Sequence, residues 1–241
     1  MATDTSLREH NKLSKARCTA TIRVWLLAFM VVAVGATTAQ ASIDWASLSG
    51  TLLSKGDAKD AKSRAWLNEI NTLKAEPLDI KLRSVNDFIN RSAQLASDLD
   101  SWGETHFWAT PTELLNNQQG DSEDFALAKL LSLLMLGIHP DRLVIVHTVA
   151  EGTTPSMIKP VAHTVLLCLC GDANAPLILD SIETRIIPAE RRTDLRPTAA
   201  YRPFDYRYPQ ALREDSDYQP SQIQRYLAKL QAQGFPIMDA P

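Results

Sequence analysis

In the stretch Gly120-Asp121-Ser122-Glu123-Asp124-Phe125-Ala126, a loop glycine, three carboxylates and a hydroxyl stand where a long apolar segment begins. If that segment is a helix, its first turn aims free N–H groups and the positive end of the dipole at Ser122. Such a position favours negative charge developing on a nucleophile. Two further residues extend the chemistry: His163 and Asp180 each lie in an apolar run downstream. Nucleophile, base and orienting carboxylate are the parts of a site for acyl transfer on peptide or amide bonds.

Several elements must bring these residues together. Asp121 is placed to cap a helix through Ala126, Leu130, Leu133 and Leu134 that stops at Gly137. Its apolar residues surround much of the axis, so this helix is expected to be buried and central. Before it, Thr110-Pro111-Thr112-Glu113 spells a capping box with proline at the first helical position, and the polar run Asn116 to Gly120 ends that shorter helix. From Asp44 to about Leu99 the spacing is helical without strand signals. Trp66, Leu67, Ile70 and Leu73 form one stripe, Pro77 interrupts, and Val85, Phe88, Ile89, Ala93 and Leu95 form another.

After Pro140 the pattern changes to strands, expected at Leu143–Val149, Ala162–Cys170 and Pro176–Ile182, with one last helix from about Ser221 to Gln233. A hairpin turn centred between Gly171 and Asp172 sets His163 directly opposite Asp180 on the same face, within hydrogen-bond reach. An asymmetric loop makes the pair diagonal. The fold class is α+β, a helical N-terminal part packed on a small antiparallel sheet.

The chain has 241 residues, 45% of them apolar, which suits one domain with a real core. A net charge of -3 and the absence of any basic block argue against nucleic acid as a partner. The N-terminus has the form of a cleavable export signal: Arg8, Lys12, Lys15, Arg17 and Arg23, then the apolar run Val24–Val34, then Ala39-Gln40-Ala41 with cleavage after Ala41. The run is shorter than the roughly 20 apolar residues of a spanning helix. The mature chain is then a single domain, residues 42–241. Of three cysteines, Cys18 leaves with the signal. Cys168 and Cys170, two apart in a strand, are expected to be small buried hydrophobes that do not bridge each other.

The segment Gly120 to Lys129 resembles the Gly-Asp-Cys-Glu-Asp-Tyr-Ala motif of the bacterial transglutaminase-like cysteine proteinases. The resemblance extends to Val85–Arg91, Trp102-Gly103, Phe107–Pro111, Ala162–Leu166, Leu177–Asp180 and Arg191–Pro197, in the family's order. It implies a papain-like, transglutaminase-like core with a Cys-His-Asp triad and a Ca2+ ion beside the nucleophile. On this resemblance Ser122 holds the nucleophile position, His163 is the base and Asp180 the orienter. Asp121, Glu123 and Asp124 are the calcium-side carboxylates, although Glu123 also fits as an acidic first-turn residue that complements the dipole. The resemblance further implies a periplasmic location, a large surface adhesin as substrate in biofilm control, and sequestration by an inner-membrane cyclic-diguanylate receptor.

Two departures bear on activity. Phe125 stands where the motif has tyrosine, and Ser122 where it has cysteine. A hydroxyl is a far weaker acid than a thiol, so a helix start and a histidine do not hold it as an anion. Serine works only when the base takes its proton during attack and an oxyanion hole receives the charge. Three readings follow: an impaired protease that still binds its partners, a working Ser-His-Asp variant, and an exported binding module with a vestigial pocket. Retention of both His163 and Asp180 favours the first over the third.

Overall fold

The computed structural model describes residues 44–54, 60–151, 160–172, 175–202 and 220–235. The expected export signal, residues 1–41, lies outside the described residues, as does most of the proline-rich stretch that follows Tyr201.

Three helices open the described chain: α1 (Trp45–Ser54), α2 (Ala61–Leu73) and α3 (Leu78–Ser92). Asp60 caps α2 by accepting the Ser63 N–H, and the Trp66, Leu67, Ile70 and Leu73 stripe is buried as its spacing predicts. Two short elements follow that the periodicity does not announce, strand β1 (Gln94–Leu95) and helix α4 (Asp98–Trp102), the latter capped by Ser97. Helix α5 (Pro111–Asn117) starts on the expected capping box, Thr110 with Glu113. Strand β2 (Gln119–Gly120) pairs in parallel with β1, Leu95 opposite Gly120. This small ladder ties the chain beyond α3 to the residue that precedes Asp121.

Helix α6 (Ser122–Met135) is the centre of the molecule: all its residues except Glu123 are buried. It packs against α1, α3 and α5 on one side and against the sheet on the other. The helix stops as expected, with Gly137 in the left-handed region at φ 84°.

Among the described residues the sheet has five antiparallel strands in the order β6-β5-β4-β3-β7. Strands β3 (Leu143–Ala150) and β4 (Val161–Leu169) match two of the expected strands; β5 (Pro176–Leu179) starts where expected but ends three residues before Ile182, and β6 (Ile187–Pro188) and β7 (Leu195–Tyr201) were not expected. Pro197 obscures β7 in the sequence, and β7 is an edge strand, where a proline is tolerated. One sheet face meets α6 through Ile145, Leu166 and Cys168; the other carries a second apolar cluster of Val144, Val146, Val165, Leu167 and Ile178. Helix α7 (Pro220–Ala232) returns to the helical core through Tyr226, Leu227 and Leu230.

The cysteine expectation is corrected. Cys168 and Cys170 form a disulfide across the end of β4 at Leu169, their Cα atoms 5.1 Å apart and inside bridging range.

Candidate active site

Ser122 is the first residue of α6, and its position follows from three local constraints. Asp121 caps the helix, its Oδ1 accepting the N–H groups of Glu123 and Asp124 at 3.0 and 3.3 Å. Asp124 reciprocates through Oδ2, which accepts the Asp121 N–H at 3.3 Å, while its Oδ1 accepts the Ala109 N–H at 2.6 Å. Gly120 is forced by proximity: a Cβ there would lie 2.6 Å from Asp124 Oδ2 and 2.7 Å from Leu114 Cδ1. The corner is therefore a clasp of backbone donors and two aspartates rather than a plain helix start.

The Ser122 side chain, 9% exposed, bridges α6 to the sheet. Its Oγ accepts the backbone N–H of Thr164 on β4 at 2.9 Å and donates to Glu123 Oε2 at 3.3 Å. Glu123 also faces His147 of β3, Oε1 lying 3.9 Å from Nδ1. That imidazole stacks on Tyr201 and shares a 2.8 Å hydrogen bond with Thr164 Oγ1; burial lowers its pKa against the opposing pull of Glu123.

His163 and Asp180 meet as expected, with Nε2 donating to Oδ1 at 2.6 Å. They are a diagonal pair. Leu166 pairs with Leu179, so continuation of that ladder sets Asp180 opposite Val165, two residues along from His163 and on the same face. Because Nε2 is held by the carboxylate, Nδ1 is the nitrogen left to serve as base.

Asp180 is further fixed from three directions. Its Oδ1 accepts the Ile182 N–H at 2.9 Å, and its backbone carbonyl accepts from Asn90 Nδ2 of α3 at 2.9 Å. Oδ2 makes a 2.7 Å ion pair with Arg192, which is itself held by Asp194. Burial pushes this carboxyl's pKa upward, but the His163 hydrogen bond and charge, the Ile182 N–H and Arg192 together hold it well below the ordinary range. The charged form of Asp180 is thus favoured. Ser122 and His163 line one cavity of about 720 Å³ together with Asp121, Glu123, Ala162 and Thr164.

Of the three carboxylates expected on the calcium side, the fold gathers two. Asp121 and Asp124 come together with Asp98, the first residue of α4, their oxygens all within 4.8 Å of one another. Glu123 lies outside that triplet and faces Ser122 and His147 instead. Asp98 offers no motif of its own in sequence; β1 pairing with β2 is what carries it to the corner. Its Oδ2 accepts the Phe107 N–H at 2.7 Å, while Oδ1 is buried without a partner among the described residues.

The electrostatics of the triplet are unfavourable to three bare anions. Burial, then the charges of Glu123 and Asp124, push Asp121 up to about 11. Burial pushes Asp124 up to about 8, with Asp98 and Glu123 adding to it against the Ala109 N–H. Asp98 is raised in the same way. An orphaned carboxylate oxygen beside two further hard oxygen donors fits a hard divalent cation, which would cancel this repulsion.

Sequence reasoning also missed Lys129, two turns beyond Ser122 on α6 and 1% exposed. Burial pulls its pKa down to about 7 despite the opposing charges of Asp180 and Asp87. Its position in an apolar helix is visible in the sequence, but its electrostatic partners come from elsewhere in the chain.

The comparisons agree with this geometry. The family model described as bacterial transglutaminase-like cysteine proteinase matches residues 57–195, which include α2 through β6 and every residue of the site. A calcium-bound structure of LapG from Legionella pneumophila is 27% identical, with a TM-score of 0.58, and the match covers 78% of this chain and 99% of that one. An EGTA-treated structure of the same protein is 31% identical over 66% of this chain and 82% of that one, with a TM-score of 0.52. No curated protein matches the chain. A helix-start nucleophile position, a strand histidine and a carboxylate diagonal to it, on an α+β core that the family model spans, lead to one assignment: the chain belongs to the bacterial transglutaminase-like cysteine proteinase family.

Proposed function

We propose that this chain is an exported, periplasmic, calcium-binding protease homologue of the adhesin-releasing type, catalytically impaired by Ser122. The observation that carries the reading is the hydrogen bonding of Ser122 Oγ. It accepts from Thr164 N–H and donates to Glu123, while His163 is held by Asp180 in the same cavity. A thiolate here is stabilised by the helix start, the Thr164 N–H and the imidazolium of His163. A serine hydroxyl is not ionised by those groups, and its proton is directed at Glu123 rather than at the imidazole.

With cysteine as nucleophile, the imidazole takes the thiol proton at Nδ1, and the thiolate attacks the scissile carbonyl. The imidazolium then returns the proton to the leaving amine, and water hydrolyses the acyl-enzyme. Asp180 keeps the ring oriented throughout and balances its charge. Calcium binding by Asp98, Asp121 and Asp124 is supported by their geometry and by the calcium-bound relative. A bound cation would brace the corner from which Ser122 projects. A large surface adhesin as substrate and an inner-membrane cyclic-diguanylate receptor as a regulatory partner complete the reading.

The test is a cleavage assay on a candidate adhesin fragment with calcium present, comparing the protein with its Ser122→Cys variant. The expected result is cleavage by the cysteine form and at least about 100-fold slower cleavage by the serine form. Equal rates would show a working serine enzyme, and no cleavage by either would show a binding module.

A further inference from the structure

Among the described residues, strand β4 is paired along nearly its whole length on one side and along less than half of it on the other. On the β3 side the ladder runs from Val161 to Cys168. On the β5 side it begins only at Leu166, opposite Leu179. The cause is Asp180, whose Oδ1 accepts the Ile182 N–H and turns the chain away from the sheet just where β5 would otherwise continue. The carboxylate that orients His163 therefore also leaves an edge open beside it.

Backbone direction alternates along a strand, so the path of one N–H assigns its neighbours. Thr164 N–H leaves the β3 ladder and reaches Ser122 Oγ at 2.9 Å. The N–H and C=O of Ala162, two residues earlier, point to that same open side. Ala162 is exposed and lines the cavity that holds Ser122 and His163. The Ser122 oxygen occupies the acceptor position that the carbonyl of a neighbouring strand would take opposite Thr164. A strand laid against Ala162 thus runs directly into the nucleophile.

We propose that the open half of β4 is the substrate's docking edge, at which an extended peptide pairs its backbone with Ala162 N–H and C=O and so delivers its next carbonyl to residue 122. This rests on Ser122 being the nucleophile position. The occupant is an unfolded or loop segment of a protein, read through its main chain, since main-chain pairing provides the attachment whatever the side chains. Val161, 38% exposed, extends the same edge with an apolar side chain.

The test uses the Ser122→Cys form and two reagents. Iodoacetamide alkylates the thiolate with loss of iodide and needs no docking. An acetyl-trialanyl chloromethyl ketone reaches the same sulfur with loss of chloride, and its methyl side chains leave the backbone to do the binding. Ala162→Pro removes the outward N–H at an edge, where proline is tolerated, and Ala162→Ser retains it.

The expected result is that Ala162→Pro slows inactivation by the peptidyl ketone at least about tenfold, the loss of one well-formed hydrogen bond. The iodoacetamide rate and the melting temperature should stay close to the parent's, and Ala162→Ser should resemble the parent with both reagents. N-methylation of the matching amide in the ketone should slow the parent and add nothing to the proline variant. An unchanged ketone rate in Ala162→Pro, or equal losses with both reagents, would overturn the docking edge. A cysteine that reacts with neither reagent faster than free glutathione would instead overturn the nucleophile assignment, and the edge with it.

Discussion

Lys129 and Asp180 show how burial acts on single residues in opposite directions. Asp180 is buried among donors and a guanidinium, so its charge is kept. Lys129 is buried without an ion pair within 4 Å among the described residues, and its charge is costly. An unfolded lysine holds its proton to about pH 10.4, whereas the folded one releases it near 7. The penalty is therefore complete below pH 7 and shrinks as pH rises from 7 to about 10. Lys129→Met is expected to raise the melting temperature by several degrees at pH 6 and by progressively less toward pH 10. Melting curves over that range check it, and a gain independent of pH would contradict the buried charge.

The junction α5-β2-α6 is the element on which the site depends, and Gly120 is its tightest point. A methyl group at Gly120 meets Asp124 Oδ2 and Leu114 Cδ1 well inside contact distance, so the clasp must open or α5 must move. Gly120→Ala is expected to destabilise the fold by about 1–3 kcal/mol, as overpacking does. It should also slow the cysteine form toward iodoacetamide by displacing the helix start, which thiol alkylation rates and urea melts together would show.

Much at this scale is legible in the sequence. The capping box at Thr110, the Asp121 cap, the buried length of α6 and the strands β3 and β4 all follow from cap residues and periodicity, which are local properties. Two of the differences arise at the end of β4, in the detail of one turn. The hairpin register shifted by two residues because the turn is closed between Gly171 and Ala175 rather than centred on Gly171 and Asp172. The side-chain parity of a strand survives such a shift, so His163 and Asp180 still meet. Cys168 and Cys170 bridge across the end of the strand.

Across the whole molecule, the acidic triplet joins segments far apart in the chain: Asp98 from α4, and Asp121 and Asp124 from the cap and first turn of α6. A cation held there crosslinks the N-terminal helical layer to the central helix, and binding only the folded state stabilises it by mass action. Calcium in roughly hundredfold excess over its dissociation constant is expected to raise the melting temperature by about 5 °C relative to chelator. Asp98→Asn should remove most of that shift. A melting curve insensitive to calcium would remove the triplet from the metal assignment, and an unaltered shift in Asp98→Asn would return attention to Glu123.

What the amino-acid order determined by itself is the list of parts and their local settings: a capped, buried helix with Ser122 at its start, a strand histidine, and a carboxylate of matching parity one hairpin away. Caps, periodicity and alternation act over a few residues, and the family motif is written in those same short segments. Only the tertiary structure decided who stands beside whom. It brought Asp98 into the acidic triplet in place of Glu123, gave Arg192 to Asp180, and turned the Ser122 hydroxyl toward Glu123. It also ended β5 where the edge of β4 opens beside the site. Those outcomes rest on β1 pairing with β2, on the hairpin register and on the packing of α6 against the sheet. Contacts between residues distant in the chain are set by the shapes that fill a shared core, and no spacing within a segment encodes them.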